Sequence, residues 1–358
     1  MNYCIGVNKP FMAPKEEIIL EISRMYDAGI FTNFGPQQEK LRTMLMTYLN
    51  IPNITLFSNG HAALENAISA FEFAKGSEII TTPYTFISTI NAIIRCGMKP
   101  VFCDIRKEDF QIDAKKIPEL ITSKTVAIMP VHLFGMICDV EEIDKIAKKY
   151  SLKILYDAAH AFGVKYKGKS IATYGDATMF SFHASKILNT IEGGAVCCAN
   201  KDLAERMSIY SNFGISGKYA LYVGENAKMS EMHASVGLCN LRYVQEEIQR
   251  RKQIFSLYEE YLGNEKDIHF PVYSKNMSGN YSYLPLVFDG RFDRNRVAKA
   301  LEERGIDSRK SFYPLSKFVD QEIPIANYVA SHILTLPMYG ELTKEQVHFI
   351  SEVILTSA

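Results

Sequence analysis

What this chain of 358 residues lacks narrows its reading first. No sign of charge dominates, since Lys and Arg together number 40 and Asp and Glu also number 40. A global field that would draw it to nucleic acid or to an anionic membrane is therefore missing, and no nucleic-acid partner is expected. No apolar run approaches the roughly 20 residues that span a bilayer. The opening Met1-Asn2-Tyr3-Cys4 has neither the basic nor the apolar region of a secretory signal. No membrane partner is expected either. Cysteines are few, seven in all, an odd count for a disulfide framework and without any C-x-x-C spacing. Several fall in apolar strand-like runs, where cysteine behaves as a small hydrophobe, and this usage fits a reducing cytoplasm. The eight histidines show no H-x-x-x-H spacing, so no metal site is expected.

What is present reads as a globular protein, with 47% apolar and 22% charged residues. From residue 54 short β-rich runs alternate with helical patterns. Strands are expected at Ile54–Phe57, Glu78–Thr81, Val101–Cys103, Val126–Met129, Lys153–Tyr156, Thr178–Phe182 and Ala195–Cys198. Helices are expected near His61–Phe73, Ile87–Cys96, Ala114–Ile121, Asp139–Tyr150 (Asp139 as N-cap) and Leu203–Ser211, with an earlier one at Lys15–Tyr26. Strands this apolar are buried on both faces, which predicts an α/β fold with a mostly parallel sheet sandwiched by helices. A single long helix over Glu231–Leu262 is expected to bridge to a second part containing a strand at Tyr281–Phe288 and helices near Asp293–Arg304 and Thr343–Val353. This divides the chain into a large domain, 1–245, and a smaller α+β domain, 246–358.

Three strand ends carry chemistry. Ser58-Asn59-Gly60-His61 joins a strand to a helix, where free N–H groups and the helix dipole favour an anion. It has neither the P-loop lysine nor G-x-G-x-x-G, so a phosphate without a dinucleotide fits, although an ordinary strand-to-helix turn reads equally well. Asp157 ends an apolar strand and enters Ala158-Ala159-His160. Either it caps the next turn, or it needs a dedicated cationic partner such as a pyridinium nitrogen. Lys186 follows Phe180-Ser181-Phe182-His183-Ala184-Ser185 and precedes Glu192-Gly193-Gly194. A lysine past one strand and an acid at the end of another suit pyridoxal phosphate: the amine forms a Schiff base with the aldehyde and the carboxylate keeps the ring nitrogen protonated. Ser181 is a candidate phosphate contact. Phe86 reads as core or as a ring stacked on a planar cofactor. His160 reads as a structural histidine, a partner of Asp157 or a second ring contact.

The same segments resemble the DegT/StrS family of sugar aminotransferases, a branch of the fold-type I (aspartate aminotransferase-like) pyridoxal phosphate enzymes, along nearly the whole chain. Residues 58–64 resemble its phosphate turn, Thr82-Pro83-Tyr84-Thr85-Phe86 its ring-stacking segment, and Pro130–Gly135 and Tyr156–Ala161 its next two blocks. Phe180–Lys186 resembles the Schiff-base block, and Phe312-Tyr313-Pro314-Leu315 and Leu336–Tyr339 the C-terminal signatures. Gly224–Glu231 resembles the segment whose asparagine, here Asn226, reaches the cofactor phosphate of the partner subunit, which implies a homodimer with shared sites. Two positions depart from the family pattern: His61 stands where threonine is usual, and Ile191 where a glycine is. Related sugar dehydratases carry histidine in place of the lysine, so the retained Lys186 implies transamination.

The resemblance implies L-glutamate as amino donor and a nucleotide-linked keto-6-deoxysugar as acceptor. The segments around Ser58, Thr82 and Asp157 are most similar to the subgroup making dTDP-4-amino-4,6-dideoxyglucose for O-antigen and other surface polysaccharides. A 3-keto-sugar aminotransferase is the alternative within the family. Tyr313 and His332 are candidate sugar contacts, and Tyr219 and Tyr222 candidate entrance residues, though each also reads as structural. Rival readings are a non-catalytic regulatory protein of this fold, a decarboxylase, and a cysteine desulfurase. The last needs an exposed loop cysteine, and most cysteines here lie in strand-like runs.

Overall fold

A computed structural model describes residues 4–312 and 322–358. Seven strands form the main sheet: β1 (Asn53–Phe57), β2 (Glu78–Thr81), β3 (Lys99–Phe102), β4 (Thr125–Met129), β5 (Lys153–Asp157), β6 (Ala177–Ser181) and β7 (Gly194–Cys198). Their spatial order is β1-β7-β6-β5-β4-β2-β3. Only β7 runs against its neighbours, and the other six point the same way. Strands β2 and β7 are buried at every position, so both faces must be covered. Helices α3 (Gly60–Ala70), α4 (Ser88–Arg95) and α6 (Lys201–Ser211) share one apolar core against the sheet. The opposite core takes residues from α2 (Pro36–Leu49), α5 (Val140–Tyr150), α7 (Glu231–Leu241) and the start of α8 (Val244–Leu262). The expected mostly parallel sheet between helices is what the chain builds.

A second core surrounds an antiparallel sheet of β8 (Ile268–His269), β9 (Leu284–Phe288) and β10 (Ile333–Leu336), with α9 (Arg294–Glu303) and α11 (Lys344–Leu355) packed on it. Ile5 also belongs to this core and bridges Ile306. Asp293 and Thr343 cap α9 and α11, the latter through a reciprocal capping box with Gln346. Helix α10 (Pro324–His332) and strands β8 and β10 were not anticipated, and neither was α2. Residues 114–120 form a 3-10 helix around Pro118 in place of a regular one.

The long helix expected over 231–262 is two helices, broken at Arg242 and Tyr243. The cause is tertiary. Arg242 donates to Glu17 at 2.7 Å and to Glu21 at 2.9 Å, both on α1 (Lys15–Ala28), and the Tyr243 hydroxyl also donates to Glu17. Below the break, a buried ion pair fastens α8 to the second sheet. Arg251 Nε lies 2.6 Å from Glu247, and Arg251 Nη1 donates to the carbonyls of Ser282 and Met338 at 3.2 Å each.

At the other end of α7, the fully buried Glu231 carboxylate accepts the N–H groups of Gly35 (3.1 Å), Gln37 (2.8 Å) and Gln38 (3.0 Å). It thereby closes the amino end of α2, whose N-cap Gly35 has no side chain to do so. Removing this carboxylate orphans three N–H groups. Glu231→Ala is expected to lower unfolding stability by about 3 kcal/mol, read as a lower urea midpoint at unchanged m-value.

Candidate active site

Because six strands of the main sheet share one direction, the carboxyl ends of β1, β2, β5 and β6 open on one edge. They deliver Ser58–His61, Tyr84–Thr89, Asp157–His160 and Ser181–Lys186 there. In open α/β sheets that edge is where ligands bind.

At the first segment Asn59 caps α3: its Oδ1 accepts from the Ala62 N–H at 2.8 Å and its carbonyl from the Ala63 N–H at 3.1 Å. The N–H groups of Gly60 and His61 find no acceptor among the described residues. A Cβ on Gly60 would stand 3.0 Å from the Ser181 Cβ and 3.2 Å from its Oγ, so Ser181 lies directly against this turn. Gly194 is needed on the other side, since a Cβ there would meet the Asn59 carbonyl oxygen at 2.6 Å. The His61 ring turns away along the helix. Its Nδ1 is 2.8 Å from Ser88 Oγ and its Nε2 3.2 Å from Glu65. What His61 offers the turn is therefore its backbone N–H.

Asp157 is 4% exposed. Its carboxylate accepts the Thr89 hydroxyl at 2.8 Å and the Ala159 N–H at 3.1 Å, and Thr89 is paired in turn with Thr85 at 2.9 Å. Among the described residues no cation lies within ion-pair distance of it. Burial pushes its pKa above the ordinary carboxylate value, offset in part by the Ala159 N–H, the Thr89 hydroxyl and the charge on Lys186. Lys186, half-buried, donates from Nζ to the Tyr283 hydroxyl at 3.1 Å, and no carboxylate pairs with it among the described residues. His160 Nδ1 accepts the Phe134 N–H at 3.1 Å, and the ring lies 4.5 Å from that of Tyr283. Burial holds this imidazole well below its usual pKa, the nearby Lys186 charge adding to the effect, so it is neutral. The structure gives it the Phe134 amide as partner and no bond to Asp157.

The remaining sequence candidates scatter. Phe86 is 59% exposed at the same edge, tilted against Phe312 with centroids 6.3 Å apart. It is not a core residue. Asn226 is exposed and accepts from Lys228 Nζ at 2.6 Å. His332 stacks on Tyr328 at 4.2 Å and lies 3.7 Å from Asp289, beyond the far end of β9 from Tyr283. Five strand residues cover roughly 17 Å, so His332 is not among the groups around Lys186. Tyr313 lies outside the described residues. Tyr219 is exposed and Tyr222 half-buried against Tyr210. Two residues of the site were not singled out from sequence. Thr89 is spaced one helical turn from Thr85, which was the available hint; Tyr283 read simply as a strand residue.

A buried acid, a lysine amine without a carboxylate partner among the described residues and a helix end with two free N–H groups stand together at one edge of a mostly parallel sheet, an arrangement that suits an enzyme's active site. A family model described as the DegT/DnrJ/EryC1/StrS aminotransferase family matches residues 13–355. Two curated relatives are named dTDP-4-amino-4,6-dideoxy-D-glucose transaminase. That of Escherichia coli is 38% identical over 98% of both chains, and that of Shigella dysenteriae 36% identical over 99% of both. A dTDP-3-amino-3,6-dideoxy-alpha-D-galactopyranose transaminase from Aneurinibacillus thermoaerophilus is 31% identical over 96% of each. Among solved structures, DesI in the presence of its TDP-sugar product superposes with a TM-score of 0.93 at 27% identity, covering 100% of this chain and 93% of that one. A putative sugar aminotransferase of Streptococcus pneumoniae, Spr1654 in its PLP-form, gives a TM-score of 0.90 at 27% identity over 98% of each chain. The chain belongs to the DegT/DnrJ/EryC1/StrS aminotransferase family.

A raised folded-state carboxyl pKa carries a signed consequence. The unfolded chain ionises first, so without a ligand the fold loses stability as pH rises from about 3.9 through the raised value of Asp157, and the loss persists above it. Asp157→Asn removes that penalty. At pH 7 its cofactor-free melting temperature is expected to rise by roughly 1–2 °C, while its affinity for pyridoxal phosphate falls about tenfold or more. Thermal melts and an absorbance titration check the two opposed effects.

Proposed function

We propose that the protein transfers the amino group of L-glutamate to the keto carbon of a nucleotide-linked 6-deoxysugar, with pyridoxal 5′-phosphate as its resident cofactor. Dedicated to dTDP-4-keto-6-deoxyglucose, it would yield dTDP-4-amino-4,6-dideoxyglucose. One observation carries the reading: Asp157, buried with no cation paired to it among the described residues, shares an edge with a lysine amine that has no carboxylate partner among them. An ionised acid in such a place is costly until something positive pairs with it. The pyridine nitrogen of the cofactor is that partner. The N–H groups of Gly60 and His61 and the hydroxyl of Ser181 suit its phosphate, Phe86 one face of its ring, and His160 the ring's surroundings.

The cofactor, once bound, supplies an aldehyde for amines and an electron sink for the carbon being deprotonated. The chain supplies the rest. Asp157, held by Thr89 and Ala159, keeps the ring nitrogen protonated. Lys186 Nζ, when free, takes the proton from the donor's α-carbon and delivers one to the sugar carbon that receives nitrogen. The phosphate turn fixes the position against which Lys186 works.

A second copy completes the site in this reading. Asn226, exposed, would reach the cofactor phosphate of the partner. Exposed apolar side chains lie on the segments that flank it in the chain, Phe213, Leu221 and Val223, and on the stretch before α2, Phe31 and Phe34, which suits burial against a second copy. The named 4-amino-sugar relatives at 36–38% identity support the choice of sugar. The 3-amino-sugar relative at 31% supports a 3-keto acceptor as second reading.

Lys186→Ala is expected to keep its fold by circular dichroism, to lose turnover by more than about a thousandfold, and to gain no cofactor mass after borohydride. Full activity in that variant ends the mechanism. With the parent enzyme, glutamate and dTDP-4-keto-6-deoxyglucose, NMR of the product is expected to place nitrogen on carbon 4. Amination of only a 3-keto sugar transfers the assignment to the second reading.

A further inference from the structure

The catalytic lysine of the main sheet has its hydrogen-bond partner on the other sheet. Tyr283 stands immediately before β9, and its hydroxyl oxygen accepts from Lys186 Nζ at 3.1 Å, with that nitrogen 5.5 Å from the ring centroid. Ser185, next to the lysine, also helps to hold the phenol. The segment carrying Tyr283 is clasped on several sides. The Asn280 amide donates to the carbonyls of His160 at 2.8 Å and Phe162 at 2.9 Å, and the Ser282 hydroxyl to that of His160 at 3.0 Å. From behind, Arg251 donates to the Ser282 carbonyl at 3.2 Å and is itself anchored by Glu247. Gly135 leaves room for this clasp, because a Cβ there would fall 2.2 Å from Asn280 Oδ1. The ring is further packed by His160 at 4.5 Å and by Phe134 edge-on at 5.9 Å. A phenol on a segment fixed to the loop after β5 presents its oxygen at a set place, and that oxygen accepts from Lys186.

We propose that Tyr283 is a positioning residue for the reaction: its oxygen accepts one N–H of the freed Lys186 amine and thereby aims the nitrogen lone pair at the reacting carbon. A neutral amine has two N–H bonds and one lone pair, so fixing one N–H on an immobile acceptor restricts the direction of the other two. The four groups that share the pocket electrostatically are Tyr283, Asp157, His160 and, behind the phenol, Arg251. Burial alone would push the Tyr283 phenol up, but the Lys186 charge and hydrogen bond outweigh it, with Arg251 and Ser185 assisting, and its pKa lies below the ordinary value.

The proposal rests on Lys186 being the reacting amine, and its test separates the two. In the cofactor-free protein, the pH dependence of acetylation at Lys186 is followed by mass spectrometry for the parent, Tyr283→Phe and Tyr283→Gln. Loss of the acceptor makes the ammonium easier to deprotonate, so Tyr283→Phe lowers the labelling midpoint by about half a unit or more. Tyr283→Gln, which restores an acceptor oxygen, recovers at least half of that shift. In the loaded enzyme Tyr283→Phe lowers kcat about tenfold or more with KM for the sugar unchanged. An unchanged midpoint in Tyr283→Phe, a kcat within about twofold of the parent, or a Tyr283→Gln midpoint equal to that of Tyr283→Phe overturns the proposal. Failure to trap cofactor on Lys186 would instead overturn the function, leaving the labelling result standing.

Discussion

A carboxylate taken out of water must be compensated, and the architecture around Asp157 is organised by that requirement. Two donors reach it, the Thr89 hydroxyl and the Ala159 N–H, and each is set by backbone: one by the first turn of α4, the other by the turn after β5. They leave the charge partly uncompensated, as the upward shift of its pKa by burial records. A stable surface protein would have surrounded such an acid with arginine or water. Here the surroundings are the hydroxyls of two threonines, a neutral histidine and a lysine whose proton goes to a phenol. Asp157 is thus a buried acid whose charge the described residues offset only in part.

The sheet is what brings this acid its neighbours. Six aligned strands send their following turns to one edge, so the amino end of α3, the acid at the end of β5 and the lysine after β6 meet there although 128 positions separate Ser58 from Lys186. Close packing holds them there. Glycine at 60 admits Ser181 against the turn, and glycine at 194 admits the turn against β7. The membership of the aminotransferase family agrees with this arrangement, and the structure adds that His61, at the position of a usual threonine, is directed by Ser88 and Glu65 away from the turn it begins.

Rigidity comes from buried charges spent on the backbone. Glu231 closes the amino end of α2 with three N–H bonds, and Arg251, neutralised by Glu247, bonds the carbonyls of Ser282 and Met338, which flank strands of the second sheet. Both are far in sequence from what they hold. Asn280 and Ser282, backed by Arg251, tie the segment before β9 to the loop after β5. Lys186 thus meets Tyr283, a group from a different layer, at 3.1 Å, which a single sheet could not arrange.

How much of this was legible follows from the range of each interaction. Lys186, Asp157 and the turn at Gly60 could be read from the chain because each is defined by its own neighbours: an apolar strand, a turn, then the reactive group. The strands of the main sheet were readable for the same reason, being buried on both faces and therefore uniformly apolar. Tyr283 was not, since nothing in Tyr281-Ser282-Tyr283 distinguishes the ring that meets the lysine from the ring that packs on Phe255. The break at Arg242 was hidden as well, because the helical pattern continues through it and the acids that pull it apart, Glu17 and Glu21, sit on α1. By itself the sequence determined the strands of the main sheet and the placing of Lys186, Asp157 and the turn at Gly60 at their carboxyl ends, all products of local patterning. Only the tertiary structure decided which hydroxyl faces the amine, where the long helix divides and that His332 stands apart from the site, because those depend on contacts between segments that no local pattern encodes.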